Sequence, residues 1–340
     1  MRILLIAPTF FGYRDLVKEE LAKLGHDVVC VNDRPSESVA FRSLAKMSYT
    51  IVDRRISEYA IKLRDFIAGS HFDLVIYMGG MSFCFTRQQF QEIRGASDVR
   101  FVAYLWDAFK NCQRFSECLG FFDEVYSFEP VDCEQHDLKF RPLFYSDICR
   151  TVAPENKVEH FDYDACFIGS VHQPSKFRSV NAICNQLEAQ GYRVFRYFYM
   201  PSKSTALQRK IVEPCYRGHS FEFTPLCFEE VVDVYARSRC IIDSPQSGQS
   251  GLTMRTLETV GVQRKLITTN ADVMHYDFAQ MGDVLLYRQG MSISDEFFAH
   301  EYHTLPEDMY NSYSLETFTK TLLGEAPTYH GYNANIRKAC

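Results

Sequence analysis

Short apolar runs alternate with amphipathic stretches along most of the chain. Residues 2–7 form an apolar run, and 14–24 carry Leu16, Val17, Leu21 and Leu24 at helical spacing before Gly25. A strand and then a glycine-closed helix are predicted. The order repeats with a strand at 28–31, a helix at 57–67 and a strand at 72–78 that ends in Gly79 and Gly80. Two further apolar runs, 101–106 and 124–128, complete this half. Alternation of this kind predicts a mostly parallel sheet covered by helices on both faces.

Over 145–162 the periodicity fades and polar residues accumulate, as in a connection between domains. The alternation then restarts: strand 165–168 ending in Gly169 and Ser170, helix 176–190 before Gly191, strand 192–197, helix 229–236 and strand 240–243. Residues 241–270, IIDSPQSGQSGLTMRTLETVGVQRKLITTN, read as strand, Ser/Gly/Gln loop, helix, turn at Gly261 and strand. A helix that starts at such a loop offers free N–H groups and the positive end of its dipole to a phosphate or diphosphate. The prediction is an α/β protein of two Rossmann-like domains, 1–150 and 151–313, with 314–340 a terminal helix and tail that packs back on the first domain. There is no internal repeat.

Length supports two domains, since 340 residues exceed one comfortable core. Hydrophobic content of 46% and charged content of 24% are ordinary for a globular chain. A net charge of −6 argues against a nucleic-acid-coating surface. Pro8 cuts the first apolar run far short of a signal peptide, and no run approaches the ~18 residues of a membrane span. A cytoplasmic protein is expected, peripheral at most at the inner face of the membrane. The 12 cysteines show no CxxC or zinc-type spacing and are expected as small core residues in a reducing compartment.

Ligands of open α/β sheets gather at the carboxyl ends of strands. In the first domain these positions are Phe10-Phe11-Gly12-Tyr13, Gly79-Gly80-Met81-Ser82, Trp106-Asp107 and Phe128-Glu129, and in the second Gly169-Ser170-Val171-His172 and the loop from Ser247 to Thr253. Gly12, Gly79 and Gly80 suit either tight turns or close ligand approach. Asp107, in YLWDAFKN, fits a general base or a helix N-cap. Glu129 is a weaker catalytic candidate of the same kind. Lys176 and Arg178 are placed to meet a diphosphate or to be solvated, with His172 beside them. Arg255 and Glu258, three apart on one helix, either pair with each other or divide between a diphosphate and the ribose hydroxyls. Asp162-Tyr163-Asp164 precedes a strand, the wrong side for a metal-binding DxD. His300 and His303, in HEYH, lack a third ligand nearby in sequence and read as surface histidines.

The segment SPQSGQSGLTMRTLETVGVQRKLITTN resembles the C-terminal signature of bacterial GT-B glycosyltransferases of the capsule, O-antigen and CgeB-like type. YLWDAFKN, FDEVYSFEPVDC, LKFRPLFY and DACFIGSVH fall where such proteins carry similar strand-end segments. The resemblance implies two domains facing one another across a cleft, with the second holding a nucleotide-sugar donor, most simply a UDP-sugar, and the first a glycan or lipid-linked acceptor. It further implies that Gly169 and Ser170 lie near the donor phosphates, Gly251, Leu252 and Thr253 cradle the diphosphate, Ser250 belongs to the same donor site, Thr224 to Leu226 receive the base and Glu258 binds the ribose. No cofactor and no metal are expected. Many retaining members carry a second glutamate eight positions before the one matched by Glu258. Here that position is Ser250, which leaves the stereochemistry open. Two other readings remain: a sugar-nucleotide 2-epimerase of the same architecture, and a non-catalytic nucleotide-sugar or glycan-binding protein.

Overall fold

The computed structural model describes residues 1–9, 12–153, 160–246 and 248–333, so Phe10, Phe11, Ser247 and the tail from 334 onward lie outside the described residues. The chain forms two compact units. The first comprises Met1–Pro142 and Leu315–Thr328, the second Leu143–Ser314 and, of the described residues, 329–333.

The first unit holds β1 (Arg2–Ile6), β2 (Asp27–Val31), β3 (Leu74–Gly79), β4 (Arg100–Leu105), β5 (Glu124–Ser127) and β6 (Lys139–Phe140), in the order β2-β1-β3-β4-β5-β6. Every pairing is parallel. Central β3 is buried along its whole length, which explains its unbroken apolar run LVIYMG. Much of the chain's aromatic content packs beneath it: Phe90 stacks on Phe122 at 5.0 Å, Phe122 on Phe115 at 5.1 Å and Phe115 on Tyr77 at 5.7 Å. Such contacts add roughly 0.5–1.5 kcal/mol per pair beyond simple burial. The helix Leu315–Leu323 also belongs here; Phe318 meets the edge of Tyr104 at 4.7 Å.

The second unit holds β7 (Ala165–Ser170), β8 (Val194–Tyr199), β9 (Cys240–Asp243), β10 (Lys265–Thr268) and β11 (Val284–Leu286), in the order β11-β10-β9-β7-β8, again parallel. In both sheets the strand order reverses between the first and third strands, β1/β3 and β7/β9. Loops leaving that switch point diverge to opposite faces and leave a crevice at the carboxyl ends.

The predicted strands and long helices are present, among them Tyr13–Lys23, Asp53–Ala68, Pro174–Ala189, Phe228–Ala236 and Met254–Gly261. Two expectations are corrected. Residues 145–162 are not simply a connection: Tyr145 is fully buried and stacks on Tyr310 at 4.8 Å, and Asp147–Val152 is a helix. Gly261 is not the turn but the last residue of its helix. A Cβ there would lie 2.6 Å from the Tyr145 side chain, so glycine is required for close approach, and Gln263, at φ 51°, makes the turn. All eleven described cysteines are free and eight are buried, with Cys30 half-buried. No helix among the described residues is long and apolar enough to cross a membrane.

Candidate functional site

The loop after β9 is organised from below by Asp243, which is fully buried. Its Oδ1 accepts from Arg255 Nη1 at 2.6 Å, and its Oδ2 accepts from the hydroxyls of Thr253 and Thr256, both at 3.1 Å. Thr253 in turn caps the helix Met254–Gly261 by accepting the Thr256 N–H at 3.3 Å. Arg255 spans to β7, where Nε and Nη2 donate to the Ile168 carbonyl at 3.1 and 2.7 Å. Its guanidinium lies against the Cα of Gly169, and any side chain at 169 would collide with it. Gly251 and Leu252 are buried beside this network. Glu258 is also buried, with Arg255, Tyr235 and Cys149 as electrostatic neighbours. Arg255, Thr253 and Glu258 are thus engaged inside the unit.

A cavity of about 460 Å³ opens at the β7/β9 switch point. One wall is the loop after β9, including Ser244, Gln246 and Ser250; another is the turn after β10, including Thr269, Asn270 and Asp272. The third is the first two turns of the helix Pro174–Ala189, which present Ser175, Lys176 and Ser179. Asn270 fixes the first two walls together: its Nδ2 donates to the carbonyls of Ser250 at 3.0 Å and Gly251 at 3.3 Å, and its Oδ1 accepts the Asp272 N–H at 3.1 Å. Ser244 and Thr269 join their hydroxyls at 2.8 Å. Burial, reinforced by the Arg255 charge and partly offset by Asp243, pulls Lys176 down to about 8. A helix N-terminus, a desolvated ammonium and several hydroxyls suit a phosphate or diphosphate.

Of the donor residues expected from the sequence, the structure brings Lys176 and Ser250 to this cavity. Ser170 and His172 meet each other beside it in sequence, Oγ to Nδ1 at 2.7 Å, and burial, then Arg209 and Lys176, lower the His172 pKa. Arg178 is exposed, 3.9 Å from Glu213. Thr224 is exposed, its carbonyl accepting the Tyr197 hydroxyl at 2.7 Å, and half-buried Leu226 leads into the helix Phe228–Ala236. The cavity-lining Ser175, Ser179, Thr269, Asn270 and Asp272 were missed. The strand-end rule that selected the loop after β9 also points to Thr269 and Asn270, whereas Ser175 and Ser179 needed the three-dimensional position of their helix.

In the first unit Gly12, at φ 76°, starts the helix Tyr13–Lys23, and Tyr13 stacks on Trp106 at 5.7 Å. Gly79 closes β3. Asp107 follows β4, half-buried, and its Oδ2 accepts the Met81 N–H at 2.9 Å. A Cβ on Gly80 would sit 2.7 Å from that oxygen, so the carboxylate is seated on the glycine. The helix N-cap reading of Asp107 is corrected: Ala108 precedes the short turn Phe109–Asn111, and the Phe109 N–H donates to Asp132 at 2.6 Å. Glu129 is the buried residue before Pro130–His136. A strand-end acid that the sequence reading passed over is Asp33, after β2: fully buried and raised to about 6, because desolvation outweighs the Ser82 hydrogen bond and Arg34.

Asp162 and Asp164 pair with Arg237 at 3.2 Å and Arg193 at 3.3 Å, ahead of β7. His303 is exposed and His300 half-buried, and Asp283, distant in sequence, comes within 3.4 Å of His300 and 3.0 Å of His303.

No family model and no curated protein matches the chain. Solved structures do. The fold is similar to that of sucrose-phosphate synthase from Thermosynechococcus elongatus, at 11% identity and TM-score 0.57 over 99% of this chain and 96% of that one. It is similar to an α-glucosyltransferase in complex with UDP and a 13-mer DNA containing a central A:G mismatch, at 11% identity and TM-score 0.53 over 100% and 98%. A candidate UDP-N-acetylglucosamine 2-epimerase from Listeria monocytogenes matches at 10% identity and TM-score 0.50 over 95% and 94%. The shared feature is the GT-B fold of two Rossmann-like units.

Proposed function

We propose that the chain is a glycosyltransferase that moves a sugar from a nucleoside-diphosphate donor to a glycan or lipid-linked acceptor in envelope or capsular polysaccharide synthesis. The observation that carries this reading is the polar cavity at the second unit's switch point, with Lys176 on its wall. The donor diphosphate rests against Lys176 and the first turn of the helix Pro174–Ala189, and Asp272 and Asn270 receive sugar or ribose hydroxyls. Asp243, Arg255, Thr253 and Gly169 hold the loop in shape. Uridine is the preferred nucleoside, in keeping with the UDP bound by the α-glucosyltransferase of similar fold.

Chemically, an acceptor hydroxyl oxygen bonds to the anomeric carbon, the bond from that carbon to the diphosphate breaks, and the hydroxyl proton leaves to a base. Asp107 is the proposed base, Glu129 the second candidate, and Gly12, Tyr13, Gly79 and Gly80 the acceptor side. Lys176 and the helix amides stabilise the departing diphosphate without calling on a divalent ion. The 2-epimerase is the second reading, favoured by the similarity to the Listeria protein.

Titration with UDP, followed by donor turnover with and without acceptors, tests this. Lys176→Ala is expected to weaken UDP binding about 10- to 100-fold, the worth of a charge-assisted contact, and Asp107→Asn to stop transfer at unchanged UDP affinity. Isomerisation of donor alone would establish the epimerase instead, and undiminished UDP binding by Lys176→Ala would remove the cavity from the reading.

A further inference from the structure

A second cluster in the same unit belongs to none of this chemistry. Asp283 stands immediately before β11, the outermost strand of its sheet, and is fixed to β10 by its carbonyl, which accepts the Leu266 N–H at 2.9 Å. Although only 3% exposed, its Oδ1 makes no hydrogen bond. His300 Nε2, likewise shielded from solvent and without a hydrogen bond, lies 3.4 Å from that oxygen. His303 reaches Oδ2 with Nδ1 at 3.0 Å and with its backbone N–H at 2.8 Å. One ligand atom from each of the three residues lies within 4.8 Å of the others.

Two ligands held 2.0–2.1 Å from a tetrahedral zinc are themselves roughly 3.3 Å apart. His303 and His300 lie 3.0 and 3.4 Å from the two different oxygens of the one carboxylate, and the three ligand atoms lie within 4.8 Å of one another, so the side chains draw together to close around an ion. Two competing cations lie close: Lys265, whose Nζ is 3.9 Å from Asp283 Oδ1 and donates to the Phe297 carbonyl at 2.6 Å, and Arg239, whose Nη2 donates to the His300 carbonyl at 3.4 Å. Two imidazoles and one carboxylate select zinc or cobalt over magnesium or calcium, which prefer all-oxygen shells.

We propose that Asp283, His300 and His303 bind one divalent transition-metal ion, zinc by its ligand set, with water in the remaining position. The site lies at the amino-terminal side of the sheet: Asp283 precedes β11 and Lys265 opens β10, whereas the cavity is built on residues that follow β9 and β10. The ion therefore clamps the segment around 300–303 onto the sheet edge and takes no part in donor chemistry. Its role is structural.

The test titrates the full-length, metal-stripped protein with Co(II) and then Zn(II). A 1:1 Co(II) complex with the ligand-field absorption of a four-coordinate N/O site is expected, displaced by zinc, and zinc is expected to raise Tm by about 3–8 °C. His300→Ala and His303→Ala, both at partly exposed side chains, should lose the spectrum and the Tm shift while UDP affinity stays unchanged, which separates this result from the fate of the donor site. No saturable 1:1 spectrum, an unaltered one in both variants, or one dominated by a thiolate charge-transfer band would overturn the proposal.

Discussion

The two units share a strand order yet furnish their switch points in opposite ways. In the second, the acid at the end of β9, Asp243, is tied to Arg255, Thr253 and Thr256, and this paired network supports an open polar cavity. In the first, the loops after β1 and β4 bring together Tyr13 and Trp106, Asp107 sits on Gly80, and the acid after β2, Asp33, is buried with a raised pKa. One topology thus carries a paired acid beneath an open cavity in one unit, and stacked rings with a buried acid of raised pKa in the other. The strand order provides the position, and the loops provide the chemistry.

The largest effect is expected where the paired acid loses its partner. Arg255→Met leaves Asp243 as an uncompensated buried charge and should cost about 3–5 kcal/mol in urea denaturation. A loss below 1 kcal/mol would show that the network is not what holds the loop.

Asp33→Asn should do the reverse. The folded chain holds the Asp33 proton more tightly than the unfolded chain does, with a pKa of about 6. The carboxyl's contribution is therefore fully present below its unfolded value and is lost as pH rises through about 6. Removing the charge should stabilise the protein by about 2–3 kcal/mol near pH 7.5 and leave it unchanged near pH 4. An equal effect at both pH values would contradict a charged, strained carboxylate.

The smallest effect concerns Lys176, held down to about 8 in the free protein. A bound diphosphate favours the ammonium and raises its pKa, so binding takes up a proton above pH 8. UDP affinity should fall by up to about tenfold per pH unit beyond that point. In Lys176→Ala the same profile should be flat, as isothermal titration across the range would reveal.

The elements were legible because periodicity reports which face of a strand or helix is buried, and β3 or the helix Met254–Gly261 leaves little choice. The helices Val39–Met47 and Asp147–Val152 were not, because each buries a single residue, Phe41 or Cys149, and one residue sets no period. Site legibility followed a similar divide. A loop flanked by Asp243 and a Thr-capped helix announces a binding region, but the same residues can face a ligand or each other, and Arg255 and Thr253 face inward.

The chain's apolar pattern thus determined two α/β units, their strands and the position of the loop after β9, since local burial leaves its imprint on sequence spacing. Only the tertiary structure decided that Lys176 and Asn270 line one cavity with Ser250, and that Asp283 meets two histidines 17 and 20 residues away. Those groupings depend on strand order and on which helix end meets which loop, and contacts between distant segments leave no period along the chain.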